Sequence, residues 1–254
     1  MTLQELLTLL RESILNDRSD RVDGSSDYLW TDATLVSYIN EAQRRFAVRS
    51  LVLRDASTSG LTQVTLVAGQ AIYPLHEDVL AVLSAKPANL EADLTRVGHA
   101  VLAAYRAPTD QWIDPTGYTG LPAGPSLAYS TDEGLSADAN DSFGVVTLRV
   151  YPTPTAQQAG EVIKLRVVRK PVRLTIDNLD AVPEIPEDHH IEMLDWAAYL
   201  ALRIVDDDAG APKRAVEFAQ SFEEHVKEAR AMVMRKLFAP SGWGFGRGGF
   251  SWDR

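Results

Sequence analysis

The period of the hydrophobic residues changes twice along the chain, and this change most limits the folds that the chain can adopt. Near both ends, apolar residues recur at three- and four-residue steps, which predicts amphipathic helices over about 3–16, 32–49, 187–206 and 211–238. From about residue 60, β-branched and aromatic residues alternate with polar ones instead, as in half-buried strands. The predicted order is therefore two helices, a β-rich middle and two further helices.

Local signals mark where the predicted helices begin and end. Thr31 occupies an N-cap position, with Asp32 in the first turn that follows it. Pro186 precedes the third helix, Pro212 suits the first turn of the fourth, and Pro240 ends that helix. These signals support one helical pair at each end of the chain.

Several short strands are predicted in the middle of the chain. Ala68-Gly69-Gln70, between two β-branched runs, indicates a hairpin turn that joins two paired strands. Residues 107–142 are rich in Pro, Gly, Ser, Thr and Asp and predict a long loop with little beyond one short strand. A loop of this length is usually functional or mobile. The strands are expected at about 61–66, 72–73, 79–85, 126–130, 145–151, 161–169 and 172–176.

The simplest packing places both helical pairs in one bundle, with the β region as an insertion between them. This predicts an α+β fold with a discontinuous helical bundle, an inserted β-rich domain and a flexible C-terminal tail. Residues 1–58 and 181–239 would form the bundle, 59–180 the insertion, and 240–254 the tail.

The composition is that of an ordinary soluble globular protein, and it excludes several functional classes. The chain has 254 residues, of which 45% are hydrophobic, and no cysteine, which removes disulfides, thiol catalysis and cysteine-ligated metals. No run approaches the roughly 18 apolar residues of a membrane span, so no membrane partner is expected. The start, Met1–Glu5, lacks the basic flank and apolar core of a signal peptide.

The residues most suited to metal binding do not form a complete ligand set. His189 and Glu192 are spaced as an i, i+3 pair, but the residue four positions after His190 is Leu194, so a zinc helix lacks its second ligand. We expect no metal here and interpret the neighbouring acids as favourable charges at a helix N-terminus.

Two acidic clusters are the other candidates for chemistry. Asp206-Asp207-Asp208 lacks the alternating ligands and central glycine of a calcium loop, so a solvated helix–helix turn is favoured. Asp132, Glu133, Asp138 and Asp141 could include a glycosidase pair, but the sequence alone does not place two carboxyls at catalytic separation, and acid-rich loops are common. The nucleophile-elbow and phosphate-loop motifs are absent as well. No enzymatic activity and no cofactor are therefore expected.

The C-terminal segment 240–254 combines glycines with large aromatic residues. Five of the 16 glycines lie in the last 13 residues, interleaved with four aromatics. Exposed aromatics indicate a partner surface, because Trp, Phe and Arg dominate interface energies. A chance aromatic tail and an Arg-Gly-Gly nucleic-acid segment are the alternatives. The predicted partner-binding residues are Trp243, Phe245, Arg247, Phe250 and Trp252.

Four segments of the chain together carry a recognisable pattern: Leu29–Ala42, the strand exit Tyr73–Val79, Leu148–Pro154, and Pro183–Leu202 before a long final helix. In this combination the chain resembles the head-to-tail adaptor proteins of tailed bacteriophages, the group that includes the tail-tubular and adaptor proteins of short-tailed phages. His76 stands where that family often has proline.

The resemblance implies a structural virion protein at the phage neck, assembled in the host cytoplasm. Such adaptors have a helical bundle that carries a β domain, and they form a ring, commonly of twelve copies, beneath the portal protein. Their C-terminal tail reaches into the portal, and the opposite face receives tail or nozzle proteins. Double-stranded DNA would pass through the ring without specific binding. The five tail residues named above become the implied portal-binding residues.

Other functions are open at this point. A tail-tubular or tail-terminator ring would contact only tail components. A cell-wall hydrolase would use the acids in 132–141, and a single-strand nucleic-acid binder would use Arg247-Gly248-Gly249. The formal net charge of −10 argues against a generic nucleic-acid binder and is compatible with a channel wall that DNA slides past.

Overall fold

The computed structural model describes residues 1–17, 28–97, 125–132, 145–203 and 211–238. These residues form a mixed structure of helices and strands, which confirms the predicted α+β class.

The longer helices occupy both ends of the chain, as predicted, and one short helix that was not predicted lies among the strands. The first, α1, spans Leu3–Thr8 and continues as a π-helix over Leu9–Ile14. The third predicted helix begins as a 3-10 turn over Glu187–His189, and its last predicted residues lie outside the described ones. The remaining helices are α2 (Asp32–Ser50), the short α3 (Ser59–Thr62), α4 (His190–Leu202) and α5 (Ala211–Phe238).

Side-chain caps and a buried arginine hold the N-terminal helices in place. The Thr31 hydroxyl accepts a hydrogen bond from the Thr34 amide at 3.3 Å, which confirms the predicted N-cap of α2. Arg11, in the π-helical segment, is buried and donates to the Trp30 carbonyl at 3.0 Å and to Asp32 at 2.5 Å. These hydrogen bonds hold the π-helical segment that follows α1 against the start of α2.

The strands form two sheets that pack face to face. In sheet A, the long strand β8 pairs with β4 along one edge and with β1 and β2 along the other, all antiparallel. In sheet B the order is β3-β7-β6-β5, with β5 parallel to β6. The strands are β1 (Arg54–Asp55), β2 (Gln63–Thr65), β3 (Ile72–Pro74), β4 (Val79–Pro87), β5 (Thr95–Arg96), β6 (Ala128–Asp132), β7 (Thr147–Tyr151) and β8 (Val162–Arg169).

The predicted hairpin around residues 68–70 is wrong. A turn is present and Gly69 adopts a positive φ of 77°, but the strands on either side belong to different sheets: β2 pairs with β8, and β3 with β7. The Tyr73 hydroxyl accepts from the Val67 amide at 3.0 Å and donates to the Gln70 carbonyl at 2.8 Å. These bonds hold a turn that carries the chain from one sheet to the other.

One further expectation needs correction. No strand forms over residues 172–176, because amide side chains of α2, rather than a neighbouring strand, bind the backbone there. The short strand predicted within the loop 107–142 is present as β6, which pairs with β7; of that loop, only residues 125–132 are described. The structure also adds β1, which lies before the predicted start of the β-rich insertion at residue 59.

Helices from both ends of the chain contribute to one apolar core. The Phe222 ring of α5 lies 6.0 Å from Phe46 of α2 and 5.2 Å from Trp196 of α4, measured between ring centroids. Arg45 places its guanidinium 3.9 Å from the centre of the Trp196 ring. Fully buried members of this core include Leu3, Leu6, Leu10, Leu35, Ile39, Met193, Leu194, Ala197 and Ala201. A second core lies between the two sheets.

Phe222→Ala should lower the free energy of unfolding by about 3–5 kcal/mol, because a fully buried ring leaves a cavity between residues from both ends of the chain. Urea unfolding followed by circular dichroism measures the change. Met232→Ala on the same helix is the matched control, since Met232 is 51% exposed and should change stability by no more than about 0.5 kcal/mol. Equal losses of unfolding free energy in the two variants would contradict a core shared by both ends of the chain.

Candidate assembly surfaces

The histidine cluster forms local contacts within the protein. His189 Nδ1 lies 2.6 Å from Glu192 Oε2, so the predicted i, i+3 pair forms, but as a hydrogen bond. His190 is fully buried, and its Nε2 lies 2.7 Å from the Ile185 carbonyl. Within the described ranges, no group of three or more metal-ligating side chains comes together.

A second histidine–carboxylate pair, which the sequence did not indicate, joins α4 to α5. His225 Nδ1 lies 3.4 Å from Asp195 Oδ2. Burial raises the pKa of Asp195, although a hydrogen bond from Ser221 and the proximity of His225 oppose the shift. These contacts join two packed helices and do not form an open site.

The acidic candidates are mostly outside the described residues. Asp132 ends β6 and pairs across the sheet with Thr147. Glu133, Asp138, Asp141 and the Asp206-Asp207-Asp208 run lie beyond the described ranges. Asp132 is thus the one of these acidic candidates that falls within the described ranges.

A charged cluster joins the end of β8 to the chain that returns to the bundle. Arg169 donates from Nε to Asp55 Oδ2 at 2.9 Å, and from its two terminal nitrogens to Glu184 at 2.7 and 2.8 Å. Glu184 also accepts from the Val172 amide at 2.6 Å. We call these three charged residues the junction cluster, because they connect β1, β8 and the segment before α4.

The junction carboxylates are held ionised. The hydrogen bond from Arg169 lowers the pKa of Glu184, although burial opposes it. Burial alone would raise the pKa of Asp55, but backbone and side-chain hydrogen bonds from Ser57 and Thr58 outweigh it and hold the pKa well below its usual range. Sequence reasoning missed this cluster, since its members are far apart in the chain; the Asp55-x-Ser57-Thr58 turn pattern was the available signal.

A cleft of about 360 Å³ lies beside the junction, between α2 and the segment 170–173. The Asn40 side chain both donates to the Leu174 carbonyl and accepts from the Leu174 amide, each at 2.8 Å. Gln43 donates to the Val172 carbonyl at 2.8 Å. The polar face of α2 thus binds the returning chain much as a neighbouring strand would.

A shallow groove of about 410 Å³ lies between α4 and α5. Tyr199, Val216 and Ala219 supply apolar surface, and Glu224 and Lys227 lie beside it. Val216 is 54% exposed, so the centre of the groove presents an aliphatic side chain to solvent. We call this the helical groove. An apolar centre with a charged margin is the usual composition of a protein interface.

The last turns of α5 are the described residues nearest in sequence to the aromatic tail. Val233 is the last buried residue among the α5 side chains that the structure describes, which extend to Lys236, and Arg235 and Lys236 are exposed. The helix ends at Phe238. The predicted portal-binding residues, Trp243, Phe245, Arg247, Phe250 and Trp252, all lie outside the described residues.

Arg169→Gln should lower the free energy of unfolding by about 2–4 kcal/mol near neutral pH, because it leaves Asp55 and Glu184 without their cation. The hydrogen bond from Arg169 lowers the folded-state pKa of Glu184, whereas Ser57 and Thr58 lower the pKa of Asp55 and remain in the variant. The contribution that the variant loses is therefore present above about pH 4 and is lost as the pH falls through the folded pKa of Glu184. The difference from the parent protein should narrow in acid.

Chemical unfolding at a series of pH values measures this effect. Arg173→Gln is the matched control, because Arg173 is an exposed neighbour on the same segment and should be nearly neutral. A difference that stays constant from neutral pH into acid would contradict the junction as an ionised cluster.

Comparison with known proteins identifies the family of the chain. Among the described residues, no helix is both long and apolar enough to cross a membrane. A search of curated proteins gave no match. Residues 1–240 match the family described as SU10 adaptor protein, and this match leaves only residues 241–254 uncovered. Since the match spans nearly the whole chain, the predicted resemblance is confirmed: the chain belongs to this family of bacteriophage head-to-tail adaptors, structural components of the virion neck.

Proposed function

We propose that the chain forms a homo-oligomeric ring beneath the portal, connects the portal to the tail and lines part of the DNA exit channel. The observation that carries this proposal is the adaptor-family match over residues 1–240. The aromatic tail supports it, because 241–254 is a partner-binding segment by composition and follows a long helix. A ring of twelve copies, the number common among such adaptors, is the expected assembly.

In this proposal the discontinuous helical bundle is the ring-forming part, and the β-rich insertion projects from it. The core shared by α1, α2, α4 and α5 supports a rigid bundle. The junction cluster supports a defined orientation of the insertion, since Arg169 fastens it to the segment that re-enters the bundle. A rigid subunit favours closure, because a ring closes only when each copy is rotated by the same angle.

The helical groove is our candidate for a contact between neighbouring copies. Contacts in a cyclic ring are heterologous, so each copy uses different surfaces toward its two neighbours. Val216, Tyr199 and Ala219 provide the apolar centre that a stable contact needs, and the charged margin supplies specificity. The aromatic tail would make a separate contact, with the portal.

Val216→Glu should reduce the number of copies bound to a portal ring, because it places a charge in the apolar centre of the helical groove. Native mass spectrometry of the chain mixed with its portal measures the copy number. Met232→Glu is the matched control, since Met232 is similarly exposed on the same helix but does not line the groove. Equal losses in both variants would exclude the groove as the specific contact.

Deleting residues 241–254 should leave a folded protein that no longer binds the portal. The melting temperature should be unchanged, because the described core residues of α5, of which Val233 is the last, precede the deleted segment. Co-purification with the portal measures binding. Truncating the four tail aromatics to alanine at full length should reproduce the loss, and Ser241→Ala is the neutral control.

Retained portal binding by the shortened chain would overturn the assigned role of the tail. Binding of the full chain to tail components but not to the portal would favour a tail-tubular or tail-terminator ring instead.

A further inference from the structure

Sheet A carries an unusual charge composition for so acidic a chain. Its four strands contain five cationic residues, Arg54, Lys86, Lys164, Arg166 and Arg169, and one acid, Asp55. Asp55 and Arg169 bind each other in the junction cluster. Four cations are left, although the whole chain has a net charge of −10.

The strand register places these four cations on one face. Lys86 lies directly opposite Lys164, and Ser84 lies opposite Arg166, so their side chains project to the same side. Arg54 lies opposite Val168, two positions further along β8, and therefore shares this side. We call Arg54, Lys86, Lys164 and Arg166 the basic row.

The opposite face of the sheet is buried, so this orientation is enforced. Ile163, Leu165 and Val167, which alternate with the cations along β8, are at most 2% exposed and belong to the core between the sheets. Arg54, Lys164 and Arg166 are exposed, and Lys86 is half-buried. In the described part of the chain, the strands of sheet A place no carboxylate on the cationic face.

The basic row includes an arrangement that does not favour folding. Like charges placed directly opposite each other on neighbouring strands destabilise a sheet, and Lys86 and Lys164 are such a pair. A local departure from stability without a compensating contact is typical of a functional surface. A bound polyanion would relieve the repulsion.

The side chains between the cations indicate which kind of polyanion would bind there. Gln63, Thr65 and Ser84 are polar and lie on the same face. Val162 and Val168 share this face, but Val168 is buried and Val162 is half-buried, so neither forms a large apolar surface there. Protein interfaces rely on aromatic or apolar anchors and are poor in lysine. Phosphate backbones need only cations and small polar groups, and their binding is independent of sequence.

We propose that the basic row is a contact surface for the phosphate backbone of double-stranded DNA. Four cations give a weak, salt-sensitive contact, which suits a duplex that must move past the protein. The role of the basic row during genome passage rests on the proposed channel function. Duplex binding by the isolated chain does not depend on that function.

Binding is tested with the full chain and a fluorescent duplex of random sequence, by anisotropy at low and moderate salt. About four phosphate contacts predict that affinity falls roughly 100-fold between about 50 and about 200 mM salt. Replacing Lys86, Lys164 and Arg166 together by Gln should abolish most of this binding. Replacing Lys213, Arg230 and Lys236 on α5 by Gln is the matched control, because it removes the same charge from exposed positions elsewhere.

Lys86→Glu separates a binding role from a structural one. The change replaces the lysine pair by an opposite-charge pair with Lys164, so the melting temperature should rise by about 2 °C while duplex affinity falls. No duplex binding by the parent chain, or equal losses in both triple variants, would overturn the proposal. Loss of portal or subunit binding with unchanged duplex affinity would instead assign the basic row to an acidic protein surface.

Duplex binding by the isolated chain does not depend on ring assembly. Val216→Glu should leave duplex binding by the isolated chain intact even if it prevents assembly, so failure of the ring proposal and failure of the basic row give different results.

Discussion

Burial of the helices from the two ends of the chain against each other is the constraint on which the rest of the structure depends. Ile39 and Phe46 of α2 lie in the same core as Met193 of α4 and Phe222 of α5. The chain must therefore leave the bundle after α2 and return before α4, whatever lies between. The junction cluster joins the two ends of the β region, because Asp55 follows α2 and Glu184 precedes α4, and Arg169 binds both.

Helix α2 packs into the helical core with one face and binds the segment that returns from the β region with the other. Its apolar face supplies the bundle core, as its period predicts. Its polar face binds the returning backbone through Asn40 and Gln43, whose amide groups offer the donors and acceptors that a strand would offer. Polar residues on the outer face of a helix are commonly solvated, but here two of them attach the helix to the β region.

Periodicity and caps were sufficient to predict the helices and the longer strands, since those signals are local. Thr31 as an N-cap and Val162–Arg169 as an alternating strand needed no tertiary information. The turn at Gly69 is equally local, but a turn sequence does not say whether the next strand joins the same sheet or the opposite one. The junction cluster and the basic row depend on strand register, which brings together residues such as Asp55 and Arg169, or Lys86 and Lys164, that are distant in sequence. The aromatic tail was predicted from composition alone and stays a prediction.

Strand β8 has a mechanical role that follows from its neighbours. It pairs with β1, β2 and β4, presents core residues on one side and cations on the other, and ends at Arg169. Each of the other three strands of sheet A is therefore joined to the helices through the strand that ends in the junction cluster. In the proposed ring, sheet A would then follow any movement of the bundle, and loss of the β8 pairing would separate β1, β2 and β4 from one another.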